Sequence, residues 1–278
     1  MAGADTSALA SGPGWRVRRL VCTAGPADRP FEEQHEAACV AAVLGGTFKY
    51  RSAEGTAMLS PGAVLLGNAG TCFECSHEHS AGDLCVAFHF APEYLESVRD
   101  GQPGRGRGRT AFAGPRLPPS PALIALLANV EHASTEVDAA ELEEAGLRLA
   151  AAALRGGTER HGRSPSSPRD DRRVAELVRV IEQRSDEKLS LAGLAAQAGI
   201  SPYRLLRSFQ RSVGMTPHQY VLRTRLHRAA LRIRQTNLPI ARIAFDAGFG
   251  DLSTFNRRFR RVLGVSPRAY RGQGAGQC

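Results

Sequence analysis

One pattern occurs twice in the carboxyl-terminal part of this 278-residue chain, over residues 189–220 and 238–270. Leu189, Ala195 and Gly199 recur 49 positions later as Leu238, Ala244 and Gly248. Ser201, Phe209, Gly214, Pro217 and Tyr220 recur 50 positions later as Asp251, Phe259, Gly264, Pro267 and Tyr270. The second copy therefore carries one extra residue in its turn. A solenoid needs about three units to bury a continuous core, so two unequal copies indicate a duplicated function rather than a stacked array.

Each copy reads as a helix-turn-helix. In the first, Leu191, Leu194, Ala195 and Ala198 mark one face of a short helix, and Gly199 stands where a left-handed residue ends it. Ser201 supplies a capping hydroxyl, and Pro202 occupies the first helical position, where a missing N–H costs nothing. The helix that follows has Leu205, Leu206, Phe209 and Val213 inward, which directs Tyr203, Arg204, Arg207, Ser208, Gln210 and Arg211 outward. In the second copy Ile240, Ile243, Ala244 and Ala247 precede Gly248, Asp251 is the cap, and Phe255, Phe259 and Leu263 follow at four-residue steps. Its outer face carries Ser253, Thr254, Asn256, Arg257, Arg258, Arg260 and Arg261, groups suited to base edges and phosphates. Thr216 and Pro217 start a long helix through about Gln235, a spacer of roughly 27 Å at about 1.5 Å per residue. Successive major grooves stand about 34 Å apart.

Charge points the same way. From Asp170 to Cys278 the chain carries 20 Arg and Lys against 8 Asp and Glu, whereas Met1 to Arg169 carries 16 against 19. The whole basic excess thus lies in one half, and after Lys188 only Asp246 and Asp251 are acidic. Such a surface suits a polyanion whose counterions it displaces.

Residues 172–271 resemble the DNA-binding domain of the AraC/XylS family of bacterial transcription regulators. The resemblance rests on the segments LSLAGLAAQAGISPYRLLRSFQRSVGMTPHQYV and LRIRQTNLPIARIAFDAGFGDLSTFNRRFRRVLGVSPRAYR, and on the closing G-x-S-P-x-x-Y-R at Gly264 to Arg271. It implies base contacts from Tyr203, Arg204 and Arg207 in the first unit and from Leu252, Ser253, Thr254 and Arg257 in the second. Leu252 departs from the longer polar side chains common there, and contact with a thymine methyl is its natural substitute. The resemblance also implies a cupin-like effector-sensing barrel before the DNA-binding domain.

The expected architecture is accordingly α+β and multidomain. A disordered arm over 1–14 leads to a cupin-like β-barrel over 15–118, a helical segment over 119–155, a linker over 156–171, an all-α double helix-turn-helix domain over 172–272 and a disordered tail over 273–278. Short strands read at 16–23, 38–44, 46–51, 57–59, 63–66 and 84–90, punctuated by Gly and Pro, a spacing that favours a sandwich or barrel. Two amphipathic helices over Pro121 to Arg155 either pair between subunits or cover their own domain.

Five of the six cysteines lie in the first half. Cys72, Cys75, His77, His79 and Cys85 are candidate ligands for zinc or another transition metal. Cys75, His77 and His79 share one face of an extended strand, and Cys72-x2-Cys75 has a spacing common at zinc sites. Glu78 and Asp83 are candidates to hydrogen-bond and orient those ligands. Cys22, His35, Cys39 and His89 belong to the same half. Three readings stand: a metal site, a thiol redox sensor, and buried cysteines with incidental histidines.

A cupin-type metalloenzyme fused to a DNA reader is the alternative of another class. No phosphate loop, nucleophile elbow or paired-carboxylate motif supports it, so a non-enzyme is expected. The stretch GRGRGR at 104–109 reads as a solvated connection. Expected partners are double-stranded promoter DNA, RNA polymerase, a small-molecule or metal effector and a second copy of the chain. With no cationic leader and no stretch near 18 apolar residues, a cytoplasmic location without membrane contact is expected.

Overall fold

The computed structural model describes residues 4–77, 82–101, 111–117, 119, 121–156 and 167–274. The amino-terminal strands are β1 (Ala4–Gly12), β2 (Trp15–Cys22), β3 (Phe31–Gln34), β4 (Ala38–Gly46), β5 (Phe48–Ser52), β6 (Gly55–Leu59), β7 (Val64–Gly67), β8 (Cys72–Ser76) and β9 (Asp83–Phe90). Helix α1 (Pro92–Asp100) and the short strand β10 (Arg116–Leu117) follow. They build two antiparallel sheets, ordered β1-β2-β9-β4-β7-β10 and β3-β8-β5-β6.

Strand β4 shows why the sheets stack. Its Val40 and Ala42 face one core, with Trp15, Val17, Val86 and Phe88, beneath α1, α2 (Pro121–Glu136) and α3 (Ala139–Gly156). Its Cys39, Ala41 and Val43 face the other, between the sheets, with Phe48, Tyr50, Leu59 and Leu65. Alternation along one strand thus fills two cores. The expected barrel is corrected to a two-sheet sandwich: β1 and β10 end one sheet and β3 and β6 the other, so no closed barrel forms among the described residues.

The expected disordered arm over 1–14 is also corrected, since Ala4–Gly12 pairs along β2 from Ala4↔Cys22 to Gly12↔Trp15. Its small and polar residues give no strand signal of their own; the ladder and the packing of Leu9 and Ala10 on the outer core order it.

The carboxyl-terminal domain contains α4 (Pro168–Arg184), α5 (Leu191–Gln197), α6 (Pro202–Val213), α7 (Pro217–Gln235), α8 (Ile240–Asp246), α9 (Leu252–Leu263) and α10 (Pro267–Gly274). The expected linker over 156–171 ends earlier, because Ser167 caps α4 through the Asp170 N–H and Pro168 opens it. The remainder of that linker, residues 157–166, lies outside the described residues, as do 104–109 and 275–278.

Each half of the repeat has its own core. Val174, Val178, Leu194, Leu205, Phe209 and Tyr220 form the first, and Leu226, Ile233, Ile243, Phe255, Phe259 and Tyr270 the second. Helix α2 serves two domains: Leu123, Leu127 and Val130 join the outer core of the sandwich, whereas Ile124 and Ala128 join the second helix-turn-helix core. Of the apolar stripes expected either to pair between subunits or to cover their own domain, Leu123, Leu127, Val130, Leu142, Leu149 and Leu154 are buried within this chain, whereas Leu147 is exposed. No helix among the described residues is long and apolar enough to cross a membrane.

The repeated turn glycines differ in surroundings. Gly199 has φ +62 and open space where a Cβ would stand, whereas Gly248 has φ +87 and would place a Cβ 2.5 Å from the Asp186 carbonyl oxygen. Gly199→Ala should therefore cost about 1 kcal/mol, for the left-handed backbone alone. Gly248→Ala should cost about 3 kcal/mol or more, because the backbone contact must also yield. Urea midpoints of the two variants check this.

Between the sheets, the His35 ring stacks on Phe73 at 4.1 Å between ring centres, and its Nε2 lies 2.9 Å from the Tyr50 hydroxyl. Burial lowers its pKa from 6.5 to about 4. The unfolded chain therefore takes up this proton first as pH falls, so the contribution of this ring to stability should decline from about pH 6.5 towards 4 and level off below. That decline is on the order of 2 kcal/mol. His35→Asn should show a smaller loss of urea stability than the parent between about pH 7 and 4.5.

Candidate nucleic-acid interface

Both second helices of the repeat are capped as their sequences dictate. The Ser201 hydroxyl accepts the Arg204 N–H and the Asp251 carboxylate accepts the Thr254 N–H; Gly214 and Gly264 end the helices in the left-handed conformation. The Thr254 N–H holds the Asp251 carboxyl below its ordinary pKa. Buried Leu205, Phe209 and Val213 seat α6, and buried Phe255, Phe259 and Leu263 seat α9. Between them α7 starts with a reciprocal capping box of Thr216 and Gln219.

Of the residues expected at bases, Tyr203 is 69% exposed. Arg207 is exposed beside it, its guanidinium carbon 5.9 Å from the Tyr203 ring centre. Ser253 and Arg257 are exposed on α9, while Leu252 and Thr254 are half-buried at its first turn. Arg260 and Arg261 extend the exposed basic face. Ser208, expected outward, is buried and donates to the carbonyls of Arg204 and Leu205.

Arg204 is partly engaged. Its guanidinium lies 3.1 Å from Asp170 Oδ1, and the same carboxylate faces Arg173 at 3.6 Å. The neighbouring Asp171 accepts the Ser212 hydroxyl at 2.7 Å. The acidic first turn of α4 is thus fastened along α6. Sequence reasoning missed these partners, although Ser167-Pro168 before two aspartates is a helix-start signal.

The amino-terminal candidates do not converge as expected. Cys72 is exposed at the start of β8 and Cys75 is buried between the sheets. Three residues apart on a strand, they point to opposite faces, so their spacing makes no chelate. His79 and Glu78 lie outside the described residues. His77 and Cys85 are buried, and they meet Cys22 and Asp83 instead. Burial pushes the Cys75 and Cys85 thiols well above the ordinary value and raises Cys22, opposite to what a reactive redox thiol requires.

A family model described as a helix-turn-helix domain matches residues 194–273. The chain is 35% identical over 98 residues to the HTH-type transcriptional activator AarP of Providencia stuartii, covering 35% of this chain and 73% of AarP. It is 37% identical over 106 residues to LumQ of Photobacterium leiognathi, covering 36% of this chain and 43% of LumQ, so this likeness spans less than half of that relative. The crystal structure of a transcriptional regulator from Chromobacterium violaceum, with an AraC-type DNA-binding domain, is 31% identical. It covers 38% of this chain and 95% of that one, with a TM-score of 0.36.

The Asp170 contact makes a testable competitor for Arg204. Asp170→Asn should raise affinity for a specific duplex about 2- to 5-fold by releasing the guanidinium. The gain should vanish in an Arg204→Ala background, a cycle read by fluorescence anisotropy.

Proposed function

The chain belongs to the AraC family of transcription regulators, and from that premise we propose that it binds promoter DNA sequence-specifically through α6 and α9. In this reading a signal received by the sandwich alters how the two helices are presented, and transcription changes. The observation that carries it is the pair of capped helices with exposed polar and basic faces, joined by the 19-residue spacer α7. At about 1.5 Å per residue the spacer is roughly 28 Å long, suited to successive major grooves.

Contacts along α7 support control by the amino-terminal half. The Tyr220 hydroxyl donates to the Pro61 carbonyl at 3.2 Å, in the turn between β6 and β7. From α2, Glu131 faces His227 at 2.6 Å, and Asn129 accepts from Arg234 at 2.9 Å and from Tyr270 at 3.1 Å. Arg234 also pairs with Glu141 of α3 at 2.6 Å. The helix that spaces the readers is therefore gripped by the domain assigned to sensing. A small effector, a second copy of the chain and RNA polymerase are the partners of this reading, which includes no catalytic step.

Genome-wide mapping of bound sites followed by binding to a recovered duplex is the test. Arg257→Ala should weaken the specific complex by about 1–3 kcal/mol and relax preference at one base position. Equal affinity for the recovered site and a scrambled duplex, with the unsubstituted protein at moderate salt, would overturn the reading.

A further inference from the structure

The end of the sandwich where β8 approaches β9 gathers donor atoms from three strands. Cys22 closes β2 and stands opposite Asp83, the first residue of β9, in their ladder. His77 follows the last residue of β8, in the other sheet. A ligand atom from each of Cys22, His77 and Asp83 lies within 4.8 Å of the other two. His77 Nε2 is 2.6 Å from Asp83 Oδ2. Cys85, two residues along β9 and so on the face of Asp83, places its Sγ 3.3 Å from Asp83 Oδ1.

We propose that Cys22, His77, Asp83 and Cys85 form a tetrahedral site for zinc or another borderline divalent transition metal. Bonds of about 2.0–2.3 Å from a central ion put neighbouring donors roughly 3.3–3.8 Å apart; Cys22, His77 and Asp83 stand within 4.8 Å of one another, and Cys85, whose Sγ is 3.3 Å from Asp83 Oδ1, closes on the other two to complete the shell. Two sulfurs, an imidazole and a carboxylate select zinc-like ions over magnesium or calcium. The cluster is enclosed: Cys22 is 8% exposed, His77 4% and Cys85 4%. Among the described residues neither Lys nor Arg pairs with Asp83, whose side chain is 9% exposed. A bound dication would supply the missing positive charge.

The surroundings are built closely. A Cβ at Gly82, where φ is +73, would stand 2.6 Å from the Cys22 carbonyl oxygen. The Cys22 Sγ already accepts the Ala24 N–H at 3.5 Å, a contact that orients a thiolate ligand and favours its charge. Four protein donors leave no open position, so the metal ties β2 and β9 to the end of β8 in the other sheet and performs no turnover. On binding, four metal–ligand bonds form, the two S–H bonds break with release of their protons to solvent, and any hydrogen on the His77 nitrogen that takes the ion passes to the other ring nitrogen or to solvent. No electron is transferred.

The site stands apart from the DNA-binding reading and has separate readouts. The full chain, loaded with zinc and dialysed, should retain about one zinc per chain by plasma mass spectrometry. X-ray absorption should show two sulfur ligands near about 2.3 Å and two nitrogen or oxygen ligands near about 2.0–2.1 Å. Cys22→Ser, Cys85→Ser and Asp83→Asn should each weaken zinc binding at least about 10-fold in competition with a chelating dye, while Cys72→Ser leaves it unchanged. The absorption measurement needs no variant, so it decides the question even where a substitution unfolds the sandwich. A zinc-free chain, a shell without sulfur, or loss on Cys72→Ser with retention on Cys22→Ser overturns the site. Duplex binding measured on the same samples separates that outcome from failure of the DNA reader.

Discussion

The rest of the structure depends on α7 being gripped on every side. Tyr220 reaches the first helix-turn-helix core, while Leu226, Ala229, Ala230 and Ile233 reach the second. A helix enclosed in this way cannot carry one apolar stripe, and its arginines serve as internal fasteners. Arg223 is buried and paired with Glu182 at 3.1 Å. Arg225 donates to the carbonyls of Ser185, Glu187 and Gly248, tying the end of α4 to the second turn. Arg228 donates to the Ser185 hydroxyl and the Glu182 carbonyl. With Arg234, four of the 20 basic residues counted after Arg169 face inward. The net charge of this domain therefore overstates what is available to phosphates; exposed arginines line α6 and α9, and Arg179, Lys188 and Arg268 are exposed elsewhere.

Legibility follows the range of the interactions. Caps, turn glycines and the spacing of Leu205, Phe209, Phe255 and Phe259 are local, so the repeat is readable to within a residue or two. The contacts that position those helices are not local: Asp170 meets Arg204 from 34 residues away and Asp171 meets Ser212 from 41. No periodicity within a helix announces such a partner, whereas Ser208, bonded to the carbonyls of Arg204 and Leu205, and the Ser167 cap of α4 are local features that the reading of each segment passed over. In the sandwich, β1 has no apolar alternation and owes its order to β2. The two-sheet arrangement depends on which strands pair, a property that strand-like segments alone leave open.

The metal candidates illustrate the same limit in sharper form. A two-residue gap between cysteines reads as a chelate when the chain turns, and as opposite faces when it runs straight. Cys72 and Cys75 run straight in β8. The donors that do converge are separated by more than fifty residues, since Cys22 reaches Asp83 only through the β2–β9 register. His77 and Cys85 can be named from the sequence because they lie close together in the chain, on either side of the β8–β9 connection. Their partners require the sheet order.

That register also connects the cluster to the spacer helix by a short route. Cys85 pairs with Val43 across the β9–β4 ladder. Val43 in turn exchanges backbone hydrogen bonds with the next turn, accepting the Gly62 N–H at 2.9 Å and donating to the Ala63 carbonyl at 3.1 Å. Gly62, at φ +91, leaves room only for the Arg223 guanidinium against its backbone, and the adjoining Pro61 carbonyl holds Tyr220. One strand and one turn thus separate Asp83 and Cys85 from the helix that spaces the two readers. A strand ladder, backbone hydrogen bonds and the close approach of Arg223 to Gly62 make up the links, and packed elements of this kind shift between discrete arrangements more readily than they deform. This route from the β2–β9 end of the sandwich to the turn against α7 does not include the helical cover formed by α2 and α3.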